Sequence, residues 1–266
     1  MSMRLACFAP LLLAAACASA PPGPPADVVA ALAPIGKLRA AINFGNPVLA
    51  QKDAATGEAK GVSVDLAREL ARRLGVPLEV VPFDAAGKVT DSATKGVWDI
   101  GFVAIDPLRA KDIAFTGPYV VIEGGYMVKK ESPLKSVDEF DRKGLRIAVG
   151  NKSAYDLYLT RTIKNAELVR VPTSAGAMDE FQSRNLDAAA GVKQAMVRYA
   201  DKNPAVRMIP GQFMVIEQAM AIPRGPGEAA LGYVKAYVEE QKASGFVARG
   251  LQRSGQTDAA VAPASP

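Results

Sequence analysis

The sequence predicts an α/β fold of two lobes joined by a two-stranded hinge. Three observations predict it. From Gly36 onward short β-type runs alternate with helical runs, the same order recurs further along the chain, and two more apolar segments sit where a chain passing between lobes would cross and return. The 266 residues are 49% hydrophobic and 22% charged, a globular composition that excludes collagen-like and generally disordered chains.

The chain opens with a secretory layout over residues 1–20. Arg4 lies within Met1 to Leu5, and the apolar run Ala6 to Ala16 ends in small residues. Two processing readings stay open. Ala18-Ser19-Ala20 supplies an A-x-A cleavage site but leaves Pro21 first, whereas Leu13-Ala14-Ala15-Ala16-Cys17 resembles a bacterial lipoprotein signal with Cys17 acylated, its leucine one position too far away. Residues 21–35, rich in proline at Pro21-Pro22-Gly23-Pro24-Pro25, read as a stiff linker.

In the first lobe, Leu38 to Asn43 is a strand. Val62, Leu66, Leu70 and Leu74 recur at spacing four, so 62–74 is an amphipathic helix, and Gly75 stops it. Leu78 to Pro82 is a second strand, Lys88 to Lys95 a helix, and Trp98 to Ile105 a third strand with the continuous apolar character of a covered parallel sheet. Tyr119 to Val128 crosses to the other lobe, and Ser136-Val137-Asp138-Glu139 is a capping box that starts a short helix.

The order then repeats: a strand at Leu145 to Val149, a helix at Ser153 to Ile163 opened by Ser153-x-x-Asp156, a strand at Glu167 to Val171, a helix at Ala175 to Arg184 and a strand at Leu186 to Ala190. Leu38-Arg39-Ala40-Ala41-Ile42 echoes Leu145-Arg146-Ile147-Ala148-Val149, which supports two similar lobes. Val215 to Ile222 is the return strand, and Gly227 to Gly250 makes one or two amphipathic helices. The expected division is lobe 1 over 36–121 and 219–255, lobe 2 over 122–218, and a disordered tail over 256–266. A chain that crosses twice leaves a cleft, and ligands of open α/β sheets sit beyond the carboxyl ends of the strands.

Histidine is absent and the two cysteines stand at the extreme N-terminus, so the commonest general base and metal ligand are missing and no disulfide staples the body. No P-loop, GxSxG or metal-ligand cluster appears, and no cofactor is called for. The formal charge is +5, or +4 once Arg4 is removed, and the lysines and arginines are spread without aromatic interleaving. That pattern argues against nucleic acid and suits a small anionic or zwitterionic ligand.

Gly36-Lys37-Leu38-Arg39, Gly61-Val62-Ser63-Val64-Asp65-Leu66-Ala67, Leu74-Gly75-Val76-Pro77, Arg109-Ala110-Lys111-Asp112-Ile113-Ala114-Phe115-Thr116-Gly117-Pro118-Tyr119 and Ser132-Pro133-Leu134-Lys135-Ser136 follow in order. This ordered set, over about residues 36 to 250, resembles the polar amino-acid group, family 3, of bacterial periplasmic solute-binding proteins serving ABC importers. The resemblance implies the type II periplasmic-binding-protein fold, a monomer that closes on a small carboxylate-bearing solute, an ABC permease of the inner membrane as partner, and a periplasmic location, soluble or lipid-anchored.

The resemblance also implies site residues. Arg109 falls where the family has the arginine that forks onto the ligand carboxylate, a role suited to a guanidinium's paired donors. Ala104, Ile105 and Asp106 offer groups beside it, although Asp106 equally suits a turn before Pro107. Ser153 matches a hydroxyl residue at a helix start that binds the other side of the carboxylate. The departures fall on the amino end of the ligand. Gly191 and Val192, followed by Lys193 and Gln194, stand where the family places an acid for the ligand ammonium, and the aromatic clamp is thinned to Phe44. Replacement candidates are Glu123 in the crossing segment and Glu217 or Gln218 on the return strand, with hinge structure or surface exposure the competing role for each. Trp98 and Met178 read as core. Dehydratases acting on cyclohexadienyl acids share the scaffold, but their acidic catalyst falls in the Gly191 and Val192 region, so a binding protein rather than an enzyme is expected. An exported sensor without transport shares every feature named here.

Overall fold

The structure is a computed structural model and describes residues 23–265, so the export signal and Cys17 lie outside the described residues. The first element is not the expected linker but helix α1 (Ala26–Leu32), which packs on a C-terminal helix with Val28 and Leu32 buried. Past Pro25 the residues are alanine, valine and leucine, and two apolar side chains four apart supply a buried face that a stiff spacer lacks.

The first lobe follows with β1 (Leu38–Asn43), the small hairpin β2 (Gln51–Lys52) and β3 (Ala59–Lys60), α2 (Val62–Leu74), β4 (Leu78–Phe83), α3 (Ala86–Thr90) and β5 (Ile100–Ala104). Helix α2 buries Val62, Leu66, Leu70 and Leu74. At its N-cap, Gly61 has φ 117°, and a Cβ there would stand 2.5 Å from the Leu49 carbonyl oxygen, so only glycine fits. The helix expected over 88–95 is divided in two, α3 and a single 3-10 turn at Ala93–Lys95. Ser92 causes the break: its hydroxyl bonds back to Val89 O at 2.8 Å and accepts Trp98 Nε1 at 2.9 Å, which draws the chain out of helical path. Trp98 is buried there, as core.

The long strand β6 (Ile113–Lys129) leads to the second lobe, β7 (Arg146–Gly150), α4 (Ala154–Thr162), β8 (Glu167–Val171), α5 (Ser174–Ser183), β9 (Ala188–Val192), α6 (Lys193–Ala200) and β10 (Val206–Met208). The return strand β11 (Met214–Pro223), helices α7 (Glu228–Ala243) and α8 (Phe246–Arg253), and β12 (Ala260–Val261) complete the chain. The main strand order is β4-β1-β5-β11-β6-β9-β7-β8. The sets β4-β1-β5 and β9-β7-β8 are each parallel, one per lobe. Strands β6 and β11 run antiparallel through both lobes, from Ile113 opposite Pro223 to Gly124 opposite Met214, with register shifts around Gln218, Ala219 and Ala221. These irregularities bend the ribbon between the lobes.

The end of the chain also departs from expectation. Residues 256–265 are ordered against the hinge: Ala260 and Val261 pair with Val121 and Val120 on the other edge of β6, and Ala262 N donates to Tyr119 O at 3.1 Å. Ala262 is 4% exposed. The low-complexity look of Ala259-Ala260-Val261-Ala262 hides the physical cause, since small side chains let this segment lie closely on a free strand edge.

Candidate functional site

The carboxyl ends of β5 and β7 face each other across the cleft. After β5 the chain makes a turn in which Asp106 Oδ1 accepts Leu108 N at 2.8 Å, and a single 3-10 turn at Arg109–Lys111 follows. Arg109 is thereby folded inward and is only 4% exposed. Its Nη1 donates to Ala104 O and its Nη2 to Lys152 O, each at 2.9 Å, while Nε is buried with no hydrogen-bond partner. Burial pushes its pKa down to about 10, opposed by Asp106, so it remains charged at neutral pH. Among the described residues no carboxylate hydrogen-bonds to it. Asp106, buried to the same degree, is engaged with Leu108 N and at 2.9 Å with Arg161 Nη2. A buried guanidinium held only by carbonyl oxygens is a strong attractor for an anion.

On the facing lobe Ser153 is the N-cap of α4, its Oγ accepting Asp156 N at 3.1 Å. The preceding residue, Lys152, has φ 54°, a left-handed conformation that non-glycine residues rarely adopt. Tyr155 on α4 donates its hydroxyl to Ser174 Oγ at 2.7 Å, tying the starts of α4 and α5 together. Cross-cleft contacts join the lobes around this point: Lys152 Nζ meets Asp91 at 2.7 Å, and Arg161 meets Asp106. A Cβ on Gly87 would stand 2.7 Å from Lys152 Cβ, so glycine permits the lobes to approach.

Two adjoining cavities result. The inner one, about 30 Å³, is lined by residues including Ala104, Arg109, Ser153, Tyr155, Ser174 and Gln218. A water-sized probe needs roughly 10–15 Å³, so this space fits one small group such as a carboxylate and no more. The outer cavity, about 380 Å³, shares Gly45, Tyr155, Ser174 and Val192 with the inner one. Phe44, Met178, Arg198, Tyr199 and Lys202 complete much of its wall.

Of the residues expected at the site, the structure gathers Arg109, Ser153, Ala104 and Gln218 around the inner cavity and Phe44 on the outer one, where Lys52 Nζ lies 5.4 Å from its ring centre. Asp106 lines neither; it is the turn residue before Pro107 and half of a cross-lobe ion pair. Glu123 lines neither and bonds Lys193 Nζ at 2.6 Å. Ile105 and Glu217 are exposed. Gly191 and Val192 line the outer cavity without an acid, and Gln194 turns away to Asp258 O at 3.3 Å. Met178, read as core, borders that cavity while packing on the second-lobe core. Tyr155, Ser174, Arg198 and Lys202 carry no motif; the only available signal was the helix start at Ser174.

The family model described as bacterial extracellular solute-binding proteins, family 3, matches residues 38–253. The L-cystine-binding protein of Escherichia coli strain K12 is 24% identical over 190 residues, which is 70% of this chain and 71% of that protein. Among solved structures, an amino acid ABC transporter substrate-binding protein from Streptococcus pneumoniae bound to L-arginine superposes with a TM-score of 0.73 at 21% identity, covering 85% of this chain and 98% of that one. An ancestral amino acid-binding protein, described as a precursor of cyclohexadienyl dehydratase, gives 0.71 at 24% identity, covering 85% and 97%. The two structural likenesses establish the two-lobed fold.

Proposed function

We infer the function of this protein from the premise that the chain belongs to the bacterial extracellular solute-binding proteins, family 3, whose model matches residues 38–253: it is the exported substrate-binding protein of an ABC importer. It closes its lobes on a small carboxylate-bearing solute, an amino acid or related organic anion, one per monomer. It delivers that solute to a permease of the inner membrane. Export rests on the N-terminal signal, with cleavage after Ala20 or acylation of Cys17 deciding whether the receptor is free or tethered.

The observation that carries this reading is Arg109, buried and charged, its Nε without a partner and no carboxylate bonded to it among the described residues. A ligand carboxylate is the group that fits. One oxygen takes Nε and an adjacent Nη, and the other lies against the N-terminal end of α4 at Ser153, where free backbone N–H groups and the helix dipole favour negative charge. Because Arg109 follows β5 and Ser153 follows β7, a carboxylate held by both joins the lobes, and binding shifts the hinge toward closure. The relatives named for L-cystine and L-arginine support an amino-acid-like solute. The dehydratase precursor among the structural neighbours keeps an enzymatic reading in view, but Gly191 and Val192 supply no acid for turnover, which favours binding alone.

A thermal-shift screen of the mature protein tests this, using amino acids, dicarboxylates, keto acids and polyamines, repeated with Arg109→Ala. A carboxylate at a hundred times its Kd stabilises by about 2.7 kcal/mol, easily seen as a raised Tm. The expected result is a carboxylate that raises Tm in the wild type and not in the variant. Undiminished binding by the variant overturns the assignment of Arg109, and consumption of a cyclohexadienyl acid overturns the receptor reading.

A further inference from the structure

We propose that Arg198 and Lys202 form a second anion-binding subsite, so that the preferred solute carries two anionic groups, one on Arg109 and one on this pair. The proposal rests on the reading of the cleft as a solute site and names the solute's class. The inner cavity, about 30 Å³, accepts one small group, so the rest of any ligand projects into the adjoining cavity of about 380 Å³. That outer chamber has on its wall Arg198, in the last turn of α6, and Lys202, in the turn just beyond the end of that helix.

Most arginines of the described residues are already engaged: Arg39 with Asp99, Arg73 with Glu240, Arg170 with Asp156. Arg198 differs. It enters no ion pair or side-chain hydrogen bond among the described residues, and its Nη2 is buried without a partner. Lys202, exposed at the rim, has no side-chain bond among them either. The residues lining the two cavities include three cationic side chains, Arg109, Arg198 and Lys202, and no carboxylate. An ammonium at the outer end of the ligand meets the cations Arg198 and Lys202, whereas a second carboxylate there meets donors whose partners are missing.

Between the cationic ends the walls are apolar. Phe44, Pro47 and Met178 suit a short methylene or thioether chain, and Tyr199 stands beside Arg198, its hydroxyl bonded by Gln182. The solute class is therefore a short-chain dicarboxylate or an amino acid with a second carboxylate. A basic amino acid is disfavoured by the same charges.

Calorimetric titration of succinate, glutarate, L-glutamate and L-cystine, each against butyrate, decides the matter, using wild type, Arg109→Gln, Arg198→Gln/Lys202→Gln, and the conservative Arg198→Lys. The wild type is expected to bind at least one diacid about tenfold or more tighter than butyrate, as one charge-assisted hydrogen bond provides. The double variant is expected to lose that preference, binding the diacids within about twofold of butyrate, and Arg198→Lys to keep part of it. Arg109→Gln is expected to lose both acids. Melting curves without ligand show that each variant is folded. A diacid preference retained by the double variant, or a wild type that binds butyrate as tightly as the diacids, overturns the proposal while leaving Arg109 in place. Carboxylate binding that survives Arg109→Gln, or a wild type that binds no carboxylate, overturns the underlying reading and the proposal with it.

Discussion

Arg109 reaches across the cleft to the opposite lobe, its Nη2 donating to Lys152 O at 2.9 Å, and Lys152 in turn sends its Nζ to Asp91 at 2.7 Å on the side from which Arg109 came. The guanidinium is thus placed by carbonyl oxygens of both lobes, Ala104 O on one and Lys152 O on the other. It is positioned without being neutralised.

A positioned but unneutralised charge costs stability. Replacing Arg109 with methionine removes the cost of burying an unpaired charge, which offsets the loss of its bonds to Ala104 O and Lys152 O. Arg109→Met is expected to raise the unliganded Tm or leave it unchanged while abolishing the rise produced by the carboxylate ligand. Paired melting curves with and without ligand check both halves.

The cross-cleft ion pairs differ in what they contribute. Lys152 and Asp91 are half exposed, so Asp91→Ala is expected to weaken ligand binding by about threefold or less. Asp106 is 4% exposed, and Arg161→Ala leaves its carboxylate with Leu108 N alone. That variant is expected to lose about 1 to 3 kcal/mol of stability by urea titration, clearly more than Asp91→Ala.

The tail acts as a third strand at the hinge. Truncation after Gln256 removes the pairing of Ala260 and Val261 with β6, the Ala262 bond to Tyr119 O and the contact of Asp258 O with Gln194. At about 1 kcal/mol for each net hydrogen bond, a loss of roughly 2 to 3 kcal/mol in unfolding free energy is expected. Urea denaturation of the truncated protein measures it.

Glu69 sets a pH dependence. Its hydrogen bond from Arg72, opposed by burial and aided by Arg73, holds its pKa down at about 2, below the ordinary carboxylate range. A lowered folded-state pKa contributes stability that is complete above the unfolded value, near 4.3, and is lost as pH falls toward about 2. The partner Arg72 is 71% exposed, so the contribution is only about 1 kcal/mol. Glu69→Gln is expected to be less stable than wild type by that amount at pH 7 and equal to it near pH 2, as read by urea titration at both pH values.

The periodic parts of the fold were legible in the sequence. Helix α2 and strands β1 and β8 fall where their patterns place them, and Ser153 caps α4 as its spacing with Asp156 requires. Ser92 divided a helix because a side-chain bond to Val89 competes with the backbone ladder, a choice that helical periodicity does not register. Helix α1 and strand β12 were hidden by composition, proline in one case and alanine in the other, and are settled by packing partners far away in the chain. At the site, Arg109 and Ser153 sit in local motifs, whereas Tyr155, Ser174 and Arg198 come from three helices whose meeting depends on how the second lobe packs. Glu123, a ligand candidate by its place in the crossing strand, is instead bonded by Lys193, a partner 70 residues on that no local pattern reveals.

A crystal structure of the protein grown with the carboxylate that gives the largest thermal shift tests the role of Arg109 at the level of single hydrogen bonds. The expected arrangement has one carboxylate of the ligand in the inner cavity, hydrogen-bonded by Nε and an Nη of Arg109 and by backbone N–H groups at the start of α4 beside Ser153. A ligand whose carboxylate lies elsewhere, with Arg109 Nε still unpartnered, would contradict it.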